Sequence, residues 1–137
     1  MVTSQFQFSN PILVELQFSL NNEYSVESED ISVDLDIQIG KKRISETEAL
    51  VELTIIIGAD NKEAPFYIKA VEGAQFRWEK GAFDGEDSID RLLSVNAPAL
   101  LLSYLRPIIS NVTGVSKYPA YNIPFINFNC NNEDEND

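Results

Sequence analysis

The sequence predicts an α+β fold, a four-stranded antiparallel sheet with one long helix packed on one face. Two observations carry this. Apolar residues recur with a period of two between Ile12 and Trp78, and with a period near 3.6 between Asn96 and Gly114. Strands that all precede the helix, rather than alternating with helices, favour antiparallel pairing.

In the first segment Ile12, Val14, Leu16, Phe18 and Leu20 alternate with Leu13, Glu15, Gln17 and Ser19. In the second, Ile31, Val33, Leu35, Ile37 and Ile39 alternate with Ser32, Asp34, Asp36 and Gln38. Both have the pattern of half-buried strands. The third places Ala49, Val51, Leu53, Ile55 and Ile57 on one face. The fourth, Pro65 to Trp78, alternates until Gly73, where a bulge or bend is expected. The polar stretches NNEYSVESED, GKKRISETE and GADNKEA separate the four.

Asp84 to Ser94 reads as weakly helical or irregular. Asn96 is then expected to cap the long helix, with Pro98 in its first turn, Pro107 kinking it and Gly114 ending it. The stretch KYPAYNIPFINFNCNN that follows is extended and rich in aromatic residues and proline. On the helix, Leu100, Leu101, Leu102, Tyr104, Leu105, Ile108, Ile109 and Val112 spread over roughly 200°, leaving Ser103, Arg106, Ser110 and Thr113 as the polar stripe. That is about twice the width an ordinary surface helix buries. Either a partner chain packs on the second side, or Asp84–Ser94 and the aromatic segment cover it.

A chain of 137 residues, 44% hydrophobic, fits a single domain over residues 1–128 that needs no disulfide. Residues 129–137, ending in EDEND, are expected to be an acidic disordered tail that aids solubility or serves as a docking peptide. The net charge of -12, from 22 acidic against 10 basic residues, opposes nucleic acid and anionic membranes. The longest apolar run, within residues 97–109, is interrupted by Ser103, Arg106 and Pro107, so membrane insertion is not expected. A lone Cys130 and a start, MVTSQFQFSN, without the marks of an export signal predict a cytoplasmic protein.

The inventory of reactive groups is thin. There is no histidine, one cysteine and no glycine-rich phosphate loop, so no metal, no cofactor and no enzymatic activity are expected. The groups Asp34/Asp36 and Glu86/Asp87/Asp90 read as a solvated strand face and a helix start, with paired carboxylates or a hard-cation site as the alternative.

The order of residues 96–128, NAPALLLSYLRPIISNVTGVSKYPAYNIPFINF, resembles the closing part of the SecB family of protein-export chaperones. The matching features are Pro98 at the helix start, Tyr104 and Arg106 two apart, Tyr118 before Pro119, and Pro124 followed by Asn127-Phe128. Phe66, Gly73 and Phe76 fit that family's fourth strand and FQFSNPILVELQFSLN its first, so the resemblance spans residues 6 to 128.

This resemblance implies a homo-oligomer, a dimer of dimers with sheets paired edge to edge and long helices sandwiched between dimers. Leu101, Leu105, Ile108, Ile109 and Val112 would then form the oligomer interface. It also implies an ATP-independent holdase that keeps unfolded clients in apolar grooves and passes them to the export ATPase. Phe76, Trp78, Tyr118, Tyr121, Phe125 and Phe128 are the matching groove candidates, while by residue type alone each reads equally as core or interface. Three departures accompany the match. The first loop is shorter, with Tyr24 as its one aromatic residue, and no counterpart of the family's second long helix is expected. Of the three acidic positions on which the ATPase docks, Glu15 matches, whereas Ser19 and Lys69 replace acids. A general holdase thus stands first, with a dedicated chaperone of one partner, such as an antitoxin, or a non-catalytic structural subunit as alternatives.

Overall fold

The computed structural model describes residues 4–24, 33–58 and 64–129. Its sheet is antiparallel and contains β1 (Phe6–Phe8), β2 (Ile12–Leu20), β3 (Leu35–Ser45), β4 (Glu48–Ile57) and β5 (Phe66–Trp78). Strands β1 and β2 lie end to end along the same side of β5, Phe6 opposite Trp78 and Leu20 opposite Phe66, and β4 and β3 follow on the other side. The sheet is therefore four strands wide but built from five. Pro11 interrupts the first strand because it has no N–H to donate. Ser9 patches the break, donating its N–H to the Gln75 carbonyl at 2.9 Å and accepting the Gln75 N–H on Oγ at 3.1 Å.

The expected second loop is largely strand. Strand β3 runs on through Lys41, Lys42 and Arg43 to Ser45, and the turn shrinks to Glu46–Thr47. Packing overrides composition here. The Lys41 ammonium donates to Ser94 Oγ at 2.6 Å, and the Arg43 guanidinium pairs with Glu86 at 3.0 Å while lying 5.1 Å from the centre of the Trp78 ring. Ile31 and Ser32, the expected start of this strand, lie outside the described residues.

The irregularity expected at Gly73 belongs instead to its neighbour. Strand β5 keeps its register with β4 throughout, and the extra residue is Val14 of β2, between the pairs Leu13–Glu72 and Glu15–Val71. One inserted residue reverses the parity of a strand. Leu13, Leu16, Phe18 and Leu20 consequently share the face turned to the helix, and Ile12 points to the opposite one.

The helix also starts earlier than Asn96. Helix α1 (Gly85–Arg91) passes through a π-helical turn, Leu92–Asn96, into α2 (Ala97–Gly114). Asn96 has helical φ and ψ of -73° and -42° and makes no capping bond. Helix α2 continues past Pro107 to Gly114. By length and composition Gly85–Gly114 could cross a membrane, but Leu101, Leu105 and Ile109 are wholly buried within the domain, as in a core helix.

The core joins that stripe to Val51, Leu53, Ile55 and Ile57 of β4 and to Phe66, Ile68 and Phe76 of β5. Each such side chain contributes about 1.5–3 kcal/mol. Leu101, Leu105 and Ile109 thus serve the chain's own core, which corrects their assignment to an oligomer interface; Ile108 and Val112 are half-buried beside them. Thr113 likewise leaves the expected polar stripe. It is fully buried, donates its hydroxyl to the Ile109 carbonyl at 2.8 Å and accepts the Tyr121 N–H at 2.7 Å. This threonine ties the extended segment after α2 to the helix. Thr113→Val keeps the shape and strands the Tyr121 N–H, so it should cost roughly 1–3 kcal/mol in urea unfolding. Faster hydrogen exchange at Tyr121 than elsewhere in the segment would locate the loss.

Candidate functional site

A helix is about 10 Å across and strands are spaced about 4.8 Å apart, so α2 can cover about two strands of a sheet four strands wide. It packs on β4 and β5. Both flanks of the helix side are left partly open.

Along the β3 flank the inward residues are Leu35, Ile37 and Ile39, paired with Ile57, Ile55 and Leu53 and each half-buried. Lys41 and Arg43 continue the same face toward the helix α1 end. The aromatic segment that follows α2 contributes half-buried Tyr121 and Ile126 to the same cluster. Along the opposite flank Phe8, Leu13 and Leu16 are 37%, 42% and 37% exposed. Beside them Glu72 occupies an inward position of β5, between Ala70 and Ala74, and is 2% exposed with its Oε1 unpartnered. Burial pushes its carboxyl above the usual carboxylate range.

The structure sorts the groove candidates into two groups. Phe76, Trp78, Tyr118 and Phe128 are buried: Phe6 stacks on Phe76 with ring centres 5.4 Å apart, and Tyr118 packs edge-on against Phe66 and Tyr24. They form walls and floor rather than an open surface. Tyr121 is half-buried against Phe66, and burial raises its phenol pKa. Phe125 is 92% exposed, with the Arg106 guanidinium 4.8 Å from its ring centre and the same guanidinium donating to the Ile123 carbonyl at 2.6 Å. Arg106 therefore holds both the segment and its projecting ring.

On the outer face Glu15 is 3.1 Å from the Lys69 ammonium and accepts a bond from Gln17. The remaining acid of the expected docking face is thus neutralised by the residue that replaced another. A shallow depression of about 740 Å³ lies on this face, lined by Ile12, Val14, Leu50 and Glu52 over Gly40 and Gly73. No group of three metal-ligating side chains occurs among the described residues. Asp34, Asp36, Glu86, Asp87 and Asp90 are not gathered into such a group.

Two features escaped sequence reading. Glu72 is an acid at an inward position of an otherwise apolar series, Phe66, Ile68, Ala70, Ala74 and Phe76, a break in parity visible in the sequence. The Leu13–Leu16 strip needed the bulge at Val14, for which the sequence carries no glycine or proline signal.

The family model described as preprotein translocase subunit SecB matches residues 4–134. An uncharacterized protein of Methanocaldococcus jannaschii is 23% identical over 124 residues, covering 88% of this chain and 78% of its own length. Among solved structures, the Mycobacterium tuberculosis SecB-like chaperone, in complex with a ChAD peptide from the HigA1 antitoxin, superposes with a TM-score of 0.72 at 14% identity, over 89% of this chain and 91% of that one. A Streptococcus agalactiae protein of unknown function gives 0.55 at 16% identity, over 90% and 100%.

The buried acid yields a prediction for the dilute chain. A carboxyl whose folded pKa exceeds its unfolded one loses stability as pH rises from the ordinary carboxylate range through the raised value. Glu72→Gln should remove that loss, raising unfolding free energy at neutral pH by about 1–3 kcal/mol and flattening its dependence on pH in urea titrations.

Proposed function

The chain belongs to the SecB family, the preprotein translocase subunits matched here from residue 4 to residue 134, and from that premise we propose that it is an ATP-independent holdase for unfolded polypeptides. The observation that carries this is the half-open apolar flank of β3. Leu35, Ile37 and Ile39 repeat at the spacing of an extended chain, beside a segment whose Phe125 projects into solvent. Such a surface holds alternate apolar side chains of an extended client without reading their identity. Holding requires neither a catalytic group nor a nucleotide, and the role suits a cytoplasmic protein.

Assembly follows from the edges of the sheet. Strand β3 carries Lys41, Lys42 and Arg43, cations that discourage further pairing, whereas β1 and β2 contain no lysine, and both edges are bulged, at Ile44 and at Val14. The β1–β2 edge, free of cations, is therefore the one that pairs with a second copy, giving a dimer and, through the open side of α2, a dimer of dimers. Docking of an export ATPase is weak in this account, because Lys69 cancels Glu15. The second reading, a chaperone dedicated to one partner, draws on the superposed SecB-like chaperone held with an antitoxin peptide.

Purified protein should suppress light scattering by several unrelated aggregating clients at near-stoichiometric ratios, equally with and without ATP. Clients with basic residues flanking apolar ones should bind best at low salt, given the charge of -12. Phe125→Ser should leave folding intact and weaken client binding about fivefold, a loss of ~1 kcal/mol. Failure to delay aggregation of any general client, with capture of one cognate partner, would move the assignment to the dedicated chaperone. Lys69→Glu should strengthen binding to an export ATPase that the natural sequence binds weakly, measured by calorimetry with both proteins.

A further inference from the structure

Strand β3 turns Leu35, Ile37, Ile39, Lys41 and Arg43 to the helix side, paired with the inward residues of β4 from Ile57 back to Ala49. The apolar run therefore ends in two cations at the same two-residue step. No acid shares that face of the strand, because Asp36 stands opposite Ile56 on the outer one. The segment after α2, VSKYPAYNIPFINF, has Lys117 as its one charged residue, and the helical stretch from Leu92 to Gly114 has Arg106 as its own. Arg106 bonds the Ile123 carbonyl and lies over the Phe125 ring, with no carboxylate partner among the described residues. Acids outnumber basic residues 22 to 10 in this chain, yet along this flank they are confined to α1, as Glu86, Asp87 and Asp90.

Of the two cations that end the run, Arg43 is already neutralised, since Glu86 is 3.0 Å away and the Trp78 ring lies under its guanidinium. Lys41 is not. Its ammonium donates to Ser94 Oγ at 2.6 Å and has no carboxylate within ion-pair distance among the described residues. A hydroxyl fixes the place of an ammonium without cancelling its charge. Lys41 is exposed, whereas Ile39, two residues before it, is half-buried. A carboxylate carried in by an apolar chain thus meets a positioned counter-charge at the border of covered surface, where screening is weaker than in open solvent.

We propose that Lys41 determines client specificity: an extended client seats three alternate apolar side chains on Leu35, Ile37 and Ile39 and, two residues further on, the carboxylate of an Asp or Glu on the Lys41 ammonium. Client and strand share a rise of about 3.3 Å per residue, so the acid falls on Lys41 when the apolar side chains are in step. The clients selected are apolar alternating segments that end in an acid. The net charge of -12 acts at longer range and still draws basic residues to positions outside this stretch. The inference deepens the holdase reading of the β3 flank, on which it rests, by naming the one charge that this flank selects.

Fluorescence anisotropy with the purified full chain and labelled peptides tests it. The parent peptide is Glu-Ser-Leu-Ser-Leu-Ser-Leu-Ser-Glu with both termini blocked, an acid at each end so that either chain direction presents one to Lys41. In a second peptide both Glu are Gln, in a third both are Lys, and in a fourth each Glu exchanges places with its neighbouring Ser. At low salt the parent should bind about fivefold tighter than the Gln and exchanged peptides, and the advantage should fade at about 0.5 M salt. Lys41→Met, shown by circular dichroism to be folded, should bind the Gln peptide as the natural sequence does and lose the preference for Glu. Lys41→Arg should keep that preference, and Lys41→Glu should reverse it in favour of the Lys peptide. Equal binding of the Glu and Gln peptides by the natural sequence, or a preference for Glu that survives Lys41→Met, would overturn the inference and leave the holdase standing. Failure of every peptide to bind, together with failure to suppress client aggregation, would overturn both.

Discussion

One helix cannot cover four strands, and most of what is distinctive here follows from that. Helix α2 places Leu101, Leu105 and Ile109 over β4 and β5, where the inward side chains of β4 from Ala49 to Ile57 lose all contact with solvent. Burial is complete at the centre and graded toward both edges. Leu35, Ile37 and Ile39 are half-covered on one side, and Phe8, Leu13 and Leu16 are more open on the other. The domain is stable because its middle is closed and has apolar surface to offer because its flanks are not.

The two flanks differ in charge and in how far they are covered. The β3 side ends in cations, has a bulged edge, and borders the segment tied down by Thr113 and Arg106. Pairing of further strands is discouraged there while apolar side chains stay accessible, conditions that suit transient clients. The β1–β2 side has an edge free of lysine and an open apolar strip beside a buried, unpartnered acid.

How far the sequence disclosed this depends on the kind of signal. Period-two alternation located β4 and β5 closely because Val51, Leu53, Ile55, Ile57, Phe66 and Ile68 are fully inward, so packing and pattern agree. The ends of elements were less legible. Asn96 looks like a cap, but the apolar residues of the preceding stretch, Ile89 and Leu93, pack into the core and carry the helix back to Gly85. GKKRIS looks like a loop, yet Ser94, Glu86 and Trp78 receive its polar heads. The excess apolar width of the helix was visible, but which side served the core was not. Leu101, Leu105 and Ile109 therefore looked available to a partner when Leu100, Tyr104 and Ile108 are the open ones. Among the aromatic residues, type alone could not separate buried Phe76 and Trp78 from exposed Phe125.

The central claim is that unfolded polypeptide lies on the helix side of β3. Photo-crosslinking tests it most directly, with a photoreactive amino acid placed singly at Ile37, on that flank, or at Leu50, an exposed apolar residue of the outer face. The protein is mixed with a reduced, unfolded client and irradiated. The account predicts strong crosslinks from position 37 that an unlabelled client competes away, and few from position 50. Crosslinks mainly from position 50 would contradict it and place clients in the depression over Gly40 and Gly73.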